Sequence, residues 1–212
     1  MQVYKSFTPI VSIIMPTYNR AGLIRRAIDS VISQTFKDWE LMVVDDGSSD
    51  ETFSIIDRYM NRFENIRYMK HSNRKTPLAT NAGLLASCGM FIAFLGSDDE
   101  YKPAYLKNRT EFLSRHPEVD MLHGGVEIIG HPYVKDKNDL SKEIHLSECF
   151  IGGTFFGKRE IFLELSGFRD LKYSDDSDFF ERALQKYKIV KVDWPDYRYY
   201  RDTPDSICST IE

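Results

Sequence analysis

The first half of the chain alternates short apolar runs with segments in which apolar residues recur at helical spacing. Short apolar runs are typical of buried strands, whereas apolar residues that recur every three to four positions indicate amphipathic helices. The pattern predicts strands at 11–15, 41–44, 66–69 and 91–95. It predicts helices at 23–32, 48–60, 77–86 and 103–115. Strands and helices that alternate in this way form a mostly parallel sheet with helices on both faces.

From about Asp120 this alternation stops, and the second half of the chain has a different pattern. It predicts strands at 126–129, 154–156 and 189–192, and helices at 158–165 and 176–186. The polar stretch 131–148 and the segment 197–202 have no apolar period that assigns them to an element. We therefore predict one α/β domain over residues 1–212, with a first half at about 9–119, a second half at about 120–200 and a tail at 201–212.

Composition and charge narrow the classes of function. The 212 residues carry 28 basic and 32 acidic side chains, which gives a net charge of −4. This balance argues against a nucleic-acid partner, because such proteins present a basic face. The three cysteines lie far apart and fit neither a disulfide framework nor a zinc site, which favours a reducing compartment such as the cytoplasm.

No segment of the sequence is predicted to target or span a membrane. Residues 1–16 lack the basic start and the long apolar stretch of a signal peptide. No apolar run reaches the roughly 18 residues that a transmembrane helix requires. We expect a cytoplasmic protein, and peripheral association with the inner face of the membrane is compatible with these features.

Polar residues follow three of the predicted strands directly at their carboxyl ends. These are the segments 16–19, 45–47 and 97–100. In an open parallel sheet, ligands bind outside the carboxyl ends of the strands, so we expect these segments to converge. The four aspartates they contain would then repel one another unless a cation or ligand donors offset their charge.

Two aspartate pairs in these segments carry the candidate chemistry. Asp98 and Asp99 can bind a hard divalent cation such as Mg²⁺ or Mn²⁺, which takes a few carboxylate oxygens together with substrate phosphates. The alternative for this pair is a solvated loop before a helix. Asp45 and Asp46 can accept hydrogen bonds from a nucleobase or a ribose. Their alternative is a turn into a helix that Ser48 caps, in the Ser-x-x-Glu pattern of a capping box.

A third acidic cluster, formed by Asp175, Asp176 and Asp178, begins an apolar helix late in the chain. Acidic residues stabilise a helix start because they oppose its dipole. One of them can instead act as a carboxylate general base.

The five histidines have no metal-ligand spacing, and the sequence contains neither a Gly-x-Gly-x-x-Gly motif nor a P-loop. These features argue against dehydrogenases and P-loop nucleoside triphosphatases.

Taken in this order, the motifs resemble those of family 2 glycosyltransferases, which have the GT-A fold. The matching segments lie within about residues 9–185 and are VSIIMPTYN at 11–19, WELMVVDDGSSD at 39–50, NAG at 81–83, FLGSDD at 94–99, Gly167–Phe168, and the acidic cluster with Arg182. The resemblance implies a Rossmann-like, mostly parallel sheet with helices on both faces. It also implies an inverting, metal-dependent transfer of a hexosyl group from a nucleotide donor, usually a UDP-sugar. The acceptor would be a hydroxyl of a glycan or a lipid-linked molecule, as in polysaccharide biosynthesis.

The resemblance assigns roles to individual residues. Substrate contacts fall on Pro16, Thr17, Tyr18, Asn19, Asp45, Asp46, Arg74, Asn81, Ser97 and Asp98, a Mn²⁺ or Mg²⁺ ion on Asp98 and Asp99, and the general base on Asp176. Inversion needs one base that takes the proton of the acceptor and no protein nucleophile. A general acid is not needed, because the metal stabilises the charge that develops on the departing diphosphate.

Two departures from the family pattern motivate an alternative function. The family usually has an aspartate before Ser97, where this chain has Gly96. It usually has an arginine before Asn81, where this chain has Thr80, and Arg74 and Lys75 on the preceding loop are the candidate substitutes. The alternative is therefore a module that binds nucleotide sugars without transferring them. A nucleotidyltransferase fits less well, because residues 16–20 lack the glycine-rich loop that this class would place after the first strand.

Overall fold

The structure of the protein is a computed structural model that describes residues 8–201 and residue 203. Its strands are β1 Val11–Thr17, β2 Trp39–Asp45, β3 Ile66–Lys70, β4 Phe91–Phe94, β5 Glu100–Tyr101, β6 Met121–Ile129, β7 Tyr133–Asp136, β8 Asp139–His145, β9 Phe156–Lys158 and β10 Ile189–Tyr200. Its α-helices are α1 Ile24–Ile32, α2 Thr52–Met60, α3 Thr76–Ala86, α4 Tyr105–Arg115, α5 Arg159–Glu164 and α6 Asp175–Leu184.

Eight of the strands form one sheet in the order β3-β2-β1-β4-β9-β6-β10-β5, and β7 and β8 form a separate hairpin. Strands β3, β2, β1 and β4 run parallel to one another. Strand β9 is antiparallel to both of its neighbours, and β10 runs parallel to β6 and antiparallel to β5. The predicted α/β class with a mostly parallel sheet is confirmed.

Two apolar cores cover the two faces of the sheet. Helices α1, α2 and α4 pack on one face, and α3, α5 and α6 pack on the other. Successive residues of a strand alternate between the cores, as Ile13 and Ile14 of β1 do. Because both faces are covered, the central strands appear in the sequence as unbroken apolar runs.

No helix within the described residues has both the length and the apolar character that a bilayer crossing demands.

The register of the sheet brings the predicted polar segments together. Thr17 and Asp45, the last residues of β1 and β2, are aligned with each other. The amide of Asp46 then donates a hydrogen bond to the carbonyl of Thr17 at 2.8 Å. The turns that follow these two strands therefore lie side by side at the carboxyl edge of the sheet.

The start of α2 differs from the prediction. The helix begins at Thr52, and its N-cap residue Glu51 makes no side-chain capping hydrogen bond. The Ser48 hydroxyl instead accepts a hydrogen bond from the amide of Asn19 at 2.9 Å, and the Ser48 amide donates to the Asp45 carboxylate at 2.7 Å. The predicted capping box does not form, because Ser48 is used to join two turns at the edge of the sheet.

The second half departs furthest from the prediction. The polar stretch 131–148 forms the hairpin of β7 and β8, followed by a 3₁₀ turn at Leu146–Glu148. The strand predicted at 189–192 continues to Tyr200, because the segment from Tyr197 onwards pairs with β6 on one side and with β5 on the other. Of the predicted tail at 201–212, all residues except 201 and 203 lie outside the described residues.

Candidate active site

A cleft of about 870 Å³ opens at the carboxyl edge of the parallel strands. The predicted polar segments of the first half contribute Pro16, Thr17, Tyr18, Asp46, Ser97, Asp98 and Asp99 to its lining. The second half contributes Asp175 and Asp176, together with residues 134–138 of the hairpin. The cleft thus brings together segments that lie more than a hundred positions apart in the sequence.

The turn after β1 is held in place by Asn19. The Asn19 amide donates to the Ser48 hydroxyl at 2.9 Å, and its side-chain oxygen accepts from the Ser49 amide at 2.8 Å. Asn19 has a φ of +50°, a conformation that asparagine tolerates better than most residues. Tyr18 is 45% exposed, and the buried Thr17 hydroxyl has no hydrogen-bond partner among the described residues. Thr17 and Tyr18 are therefore available to a ligand, whereas Asn19 shapes the turn and does not line the cleft.

The two aspartates after β2 have different surroundings. The Asp45 carboxylate is fully buried and accepts hydrogen bonds from the Ser48 amide and the Tyr68 hydroxyl, both at 2.7 Å. Asp46 lines the cleft, and its carboxylate accepts from the successive backbone amides of residues 74–75 at 2.7 and 2.8 Å. The prediction that both aspartates contact a nucleoside therefore fits the geometry only for Asp46. Asp45 does not line the cleft, and its oxygens hold the turn after β2.

Arg74 and Asn81, predicted as substrate contacts, do not line the cleft. The Arg74 side chain is exposed, and the cleft is lined instead by the next residue, Lys75. The Asn81 side chain donates to the carbonyl of Phe168 at 2.7 Å and accepts from its amide at 2.8 Å. Asn81 therefore fixes the loop between α5 and α6 to helix α3.

The cation candidates Asp98 and Asp99 both line the cleft but differ in their partners. The Asp99 carboxylate accepts hydrogen bonds from the Tyr197 hydroxyl at 2.6 Å and the Tyr200 amide at 2.9 Å. Within the described residues, the Asp98 carboxylate accepts no hydrogen bond. Burial and the neighbouring charge of Asp98 raise the pKa of Asp99 to about 7. Asp98 is therefore the carboxylate that is free to bind a cation.

The donor set fits a divalent cation that is shared with a diphosphate. No three acidic, histidine or cysteine side chains in the described part of the chain form a group that could hold a metal alone. Mg²⁺, however, is commonly bound by one or two carboxylates together with substrate phosphates, and Mn²⁺ prefers similar oxygen ligands. A Cβ atom at Gly96 would lie 2.6 Å from an oxygen of Asp99 and 3.1 Å from an oxygen of Asp98. The absence of a side chain at Gly96 lets the two carboxylates converge.

The acidic cluster at the start of α6 divides into two cleft residues and one structural residue. Asp175 and Asp176 line the cleft. Asp178 does not, and its carboxylate forms ion pairs with Arg169 and Arg182, each at 2.9 Å. A structural role therefore accounts for Asp178.

Asp176 has a fixed orientation in the cleft. Its carboxylate accepts hydrogen bonds from the backbone amides of Gly152 at 3.1 Å and Ser177 at 2.8 Å. Burial nevertheless raises the pKa of Asp176, and burial together with the charge of Asp176 raises the pKa of Asp175 to about 7. A raised pKa makes a carboxylate a better proton acceptor near neutral pH.

Some residues that line the cleft are not predicted as site residues from the sequence. Residues 134–138 come from the hairpin, and Tyr197, Tyr199 and Tyr200 come from β10. Neither segment carries a motif or a clear apolar period. The one available signal was the three tyrosines within residues 197–200, because aromatic residues are enriched in strands.

Comparisons with known proteins give the chain a family. Residues 12–204 match the model of the family described as Glycosyl transferase family 2. An uncharacterized glycosyltransferase of Rickettsia prowazekii is 32% identical over 197 residues, which cover 86% of this chain and 61% of the relative. The chain therefore spans about three fifths of the length of that relative.

Solved structures share the fold. Staphylococcus aureus TarS 1–349, in complex with UDP-GlcNAc, superposes with a TM-score of 0.80 at 22% identity, over 95% of this chain and 61% of TarS 1–349. The mannosyltransferase PcManGT from Pyrobaculum calidifontis, in complex with GDP-Man and Mn²⁺, superposes with a TM-score of 0.70 at 24% identity, over 94% and 59% of the two chains. These similarities confirm the GT-A fold. Since the family match extends over most of its residues, the chain belongs to glycosyl transferase family 2.

Proposed function

We propose that the protein is an inverting glycosyltransferase that moves a hexosyl group from a UDP-sugar to a hydroxyl of a glycan or a lipid-linked acceptor, with a divalent cation as cofactor. The observation that carries the proposal is the presence of Asp46, Asp98 and Asp176 in one cleft. These carboxylates suit three different tasks, which are to bind a nucleoside, to hold a cation on a diphosphate and to accept a proton.

The first half of the chain would bind the donor. Asp46 would accept a hydrogen bond from the uracil N–H. The Thr17 hydroxyl, which has no partner among the described residues, and the ring of Tyr18 lie in the same cleft. The solved complex of TarS with UDP-GlcNAc supports a uridine donor, whereas the complex of PcManGT with GDP-Man is a reason to test guanosine as well.

The chemistry would then follow from Asp98 and Asp176. Asp98 would hold the cation, while Asp99 keeps its hydrogen bonds to β10. The bound cation would offset the charge that develops on the departing diphosphate. Asp176 would take the proton of the acceptor hydroxyl while the acceptor oxygen forms a bond to the anomeric carbon. The bond from that carbon to the diphosphate breaks on the opposite face, so a single displacement inverts the configuration.

Calorimetric titration with UDP, GDP and CDP tests the donor class. We expect UDP to bind most tightly, and Mn²⁺ to strengthen its binding relative to EDTA. Release of UDP from UDP-sugars in the presence of glycan and lipid-linked acceptors would then separate a transferase from a module that only binds the donor. If UDP binds no more tightly than GDP, the choice of a uridine donor is wrong.

Asp46→Ala is expected to weaken UDP binding about 10- to 100-fold, because it removes a charged hydrogen-bond acceptor for the nucleoside. The loss should be similar with Mn²⁺ and with EDTA, since Asp46 would not contact the diphosphate. The control is Asp45→Asn, which changes the neighbouring carboxylate outside the cleft and should affect the melting temperature more than the UDP affinity. An equal or larger loss of affinity in Asp45→Asn would contradict the assignment to Asp46.

A further inference from the structure

A residue of strand β10 joins the two ends of the turn that carries the cation candidates Asp98 and Asp99. The Tyr197 hydroxyl donates a hydrogen bond to the Asp99 carboxylate at 2.6 Å and accepts one from the Gly96 amide at 3.2 Å. The Asp99 amide also donates to the Gly96 carbonyl at 3.0 Å. A single hydroxyl therefore bridges the first and the last residue of the turn 96–99.

Tyr197 is itself held rigidly. The residue is 1% exposed, and its ring packs edge-on against Tyr101 with the centroids 5.7 Å apart. The preceding residue, Asp196, forms an ion pair at 2.6 Å with Arg109, which is fully buried and lies 3.7 Å above the ring of Tyr105. These contacts leave the hydroxyl little freedom to follow a turn that moves.

A second contact from β10 uses the other oxygen of Asp99. The Tyr200 amide donates to it at 2.9 Å, and the guanidinium of Arg26 lies 3.5 Å above the Tyr200 ring while it donates to the carbonyl of Asp98. Both oxygens of Asp99 are thus bound by β10. The Asp98 carboxylate is left as the one in this turn without a hydrogen bond among the described residues.

We propose that Tyr197 is a positioning residue, whose hydroxyl holds the turn 96–99 in the conformation that presents the Asp98 carboxylate to the cleft. The inference rests on the proposed function, because it assumes that Asp98 binds a cation together with a nucleoside diphosphate. It also accounts for Gly96 in this chain. An aspartate in its place would have its Cβ 2.6 Å from the Asp99 oxygen that Tyr197 binds.

Tyr197→Phe tests the proposal, because it removes the hydroxyl and keeps the packed ring. The quantity to measure is the manganese enhancement, which is the UDP dissociation constant in EDTA divided by that in MnCl₂. We expect Tyr197→Phe to lower this ratio about tenfold and to leave UDP binding in EDTA unchanged. Electron paramagnetic resonance of free Mn²⁺ in the presence of UDP gives a second readout that does not depend on turnover.

Tyr101→Phe is the matched control. It removes a buried tyrosine hydroxyl from the same ring cluster, where that hydroxyl donates to the carbonyl of Phe94. We expect it to keep the manganese enhancement even if its melting temperature falls as much as that of Tyr197→Phe. A merely structural role for Tyr197 predicts instead that both variants lose stability and neither loses the enhancement.

Three outcomes would overturn the proposal in distinguishable ways. If the wild-type protein binds UDP with no manganese enhancement, the proposed cofactor is wrong and the role of Tyr197 falls with it. If the wild type has the enhancement and folded Tyr197→Phe keeps it, only the positioning role is wrong. Should Tyr197→Phe fail to fold, Gly96→Ala tests the same contact, because the added Cβ would lie 2.6 Å from the Asp99 oxygen that Tyr197 binds. A full enhancement in that variant would also refute the proposal.

Discussion

Asp176→Asn should lower the rate of sugar transfer by about 10²–10⁴ and leave UDP affinity nearly unchanged, because an amide cannot take the proton of the acceptor. The substitution keeps the shape of a side chain whose oxygens accept hydrogen bonds from Gly152 and Ser177. The measurement is the release of UDP with a verified donor and acceptor, together with calorimetry of UDP. Asp178→Asn is the control, since Asp178 is ion-paired outside the cleft, and it should retain turnover far better.

The neighbouring residue Asp175 is the competitor for this role. It also lines the cleft, and its pKa is raised to about 7 by burial and by the charge of Asp176. If Asp176→Asn keeps near-native turnover while Asp175→Asn does not, the base is Asp175.

The pH dependence of turnover is expected to reflect the carboxyl groups of Asp175 and Asp176. A general base works only when deprotonated, and burial raises the pKa of Asp176 above that of an ordinary aspartate. Turnover should therefore fall as the pH is lowered through this raised pKa, rather than only near pH 4, where an exposed aspartate titrates. A fall in turnover centred no higher than the ordinary pKa of an exposed aspartate would contradict a base of raised pKa.

Asp98→Asn is expected to abolish the manganese enhancement of UDP binding and to lower turnover by about 10²-fold or more, because a bound cation supplies several kcal/mol of charge stabilisation. The fold should not suffer, since the Asp98 carboxylate accepts no hydrogen bond within the described residues. Calorimetry with UDP in MnCl₂ and in EDTA measures the enhancement, and thermal melting checks the fold.

Ser97→Ala is a suitable control for Asp98→Asn, because Ser97 lies in the same turn and lines the same cleft but offers no carboxylate. It should keep most of the enhancement. An Asp98→Asn protein that still binds UDP more tightly with Mn²⁺ than with EDTA would show that the cation is held elsewhere.

The sequence predicts the position of a strand or helix well wherever that element is determined by its own residues. The first four strands and helices are local patterns of apolar residues, and their positions were predicted to within a few residues. The convergence of the polar segments was also predictable, because parallel strands share one carboxyl edge. What the sequence could not decide was which of two adjacent aspartates faces the cleft. Asp45 ends β2 within the sheet and Asp46 begins the turn, a distinction that depends on where the strand stops.

Long-range contacts account for the rest of what was missed. The partners of Asp99 lie 98 and 101 positions further along the chain, and no local pattern indicates that Tyr197 and Tyr200 would meet it. The hairpin of β7 and β8 is largely exposed along β8, so it lacks the apolar side from which a strand is predicted. Asn81 belongs to a sequence motif and was predicted as a substrate contact, but its partner is the backbone of Phe168, which only the folded chain identifies.

The place of β10 between β6 and β5 also bears on the order in which the molecule is assembled. Residues 96–99 and their two tyrosine partners are separated by a loop of about a hundred residues, which must be closed before these hydrogen bonds can form. A chain emerging from the ribosome contains all four parallel strands long before it contains β10. We therefore expect the nucleoside side of the cleft to be an early product of folding, and the turn that presents Asp98 to be completed only when the last strand joins the sheet.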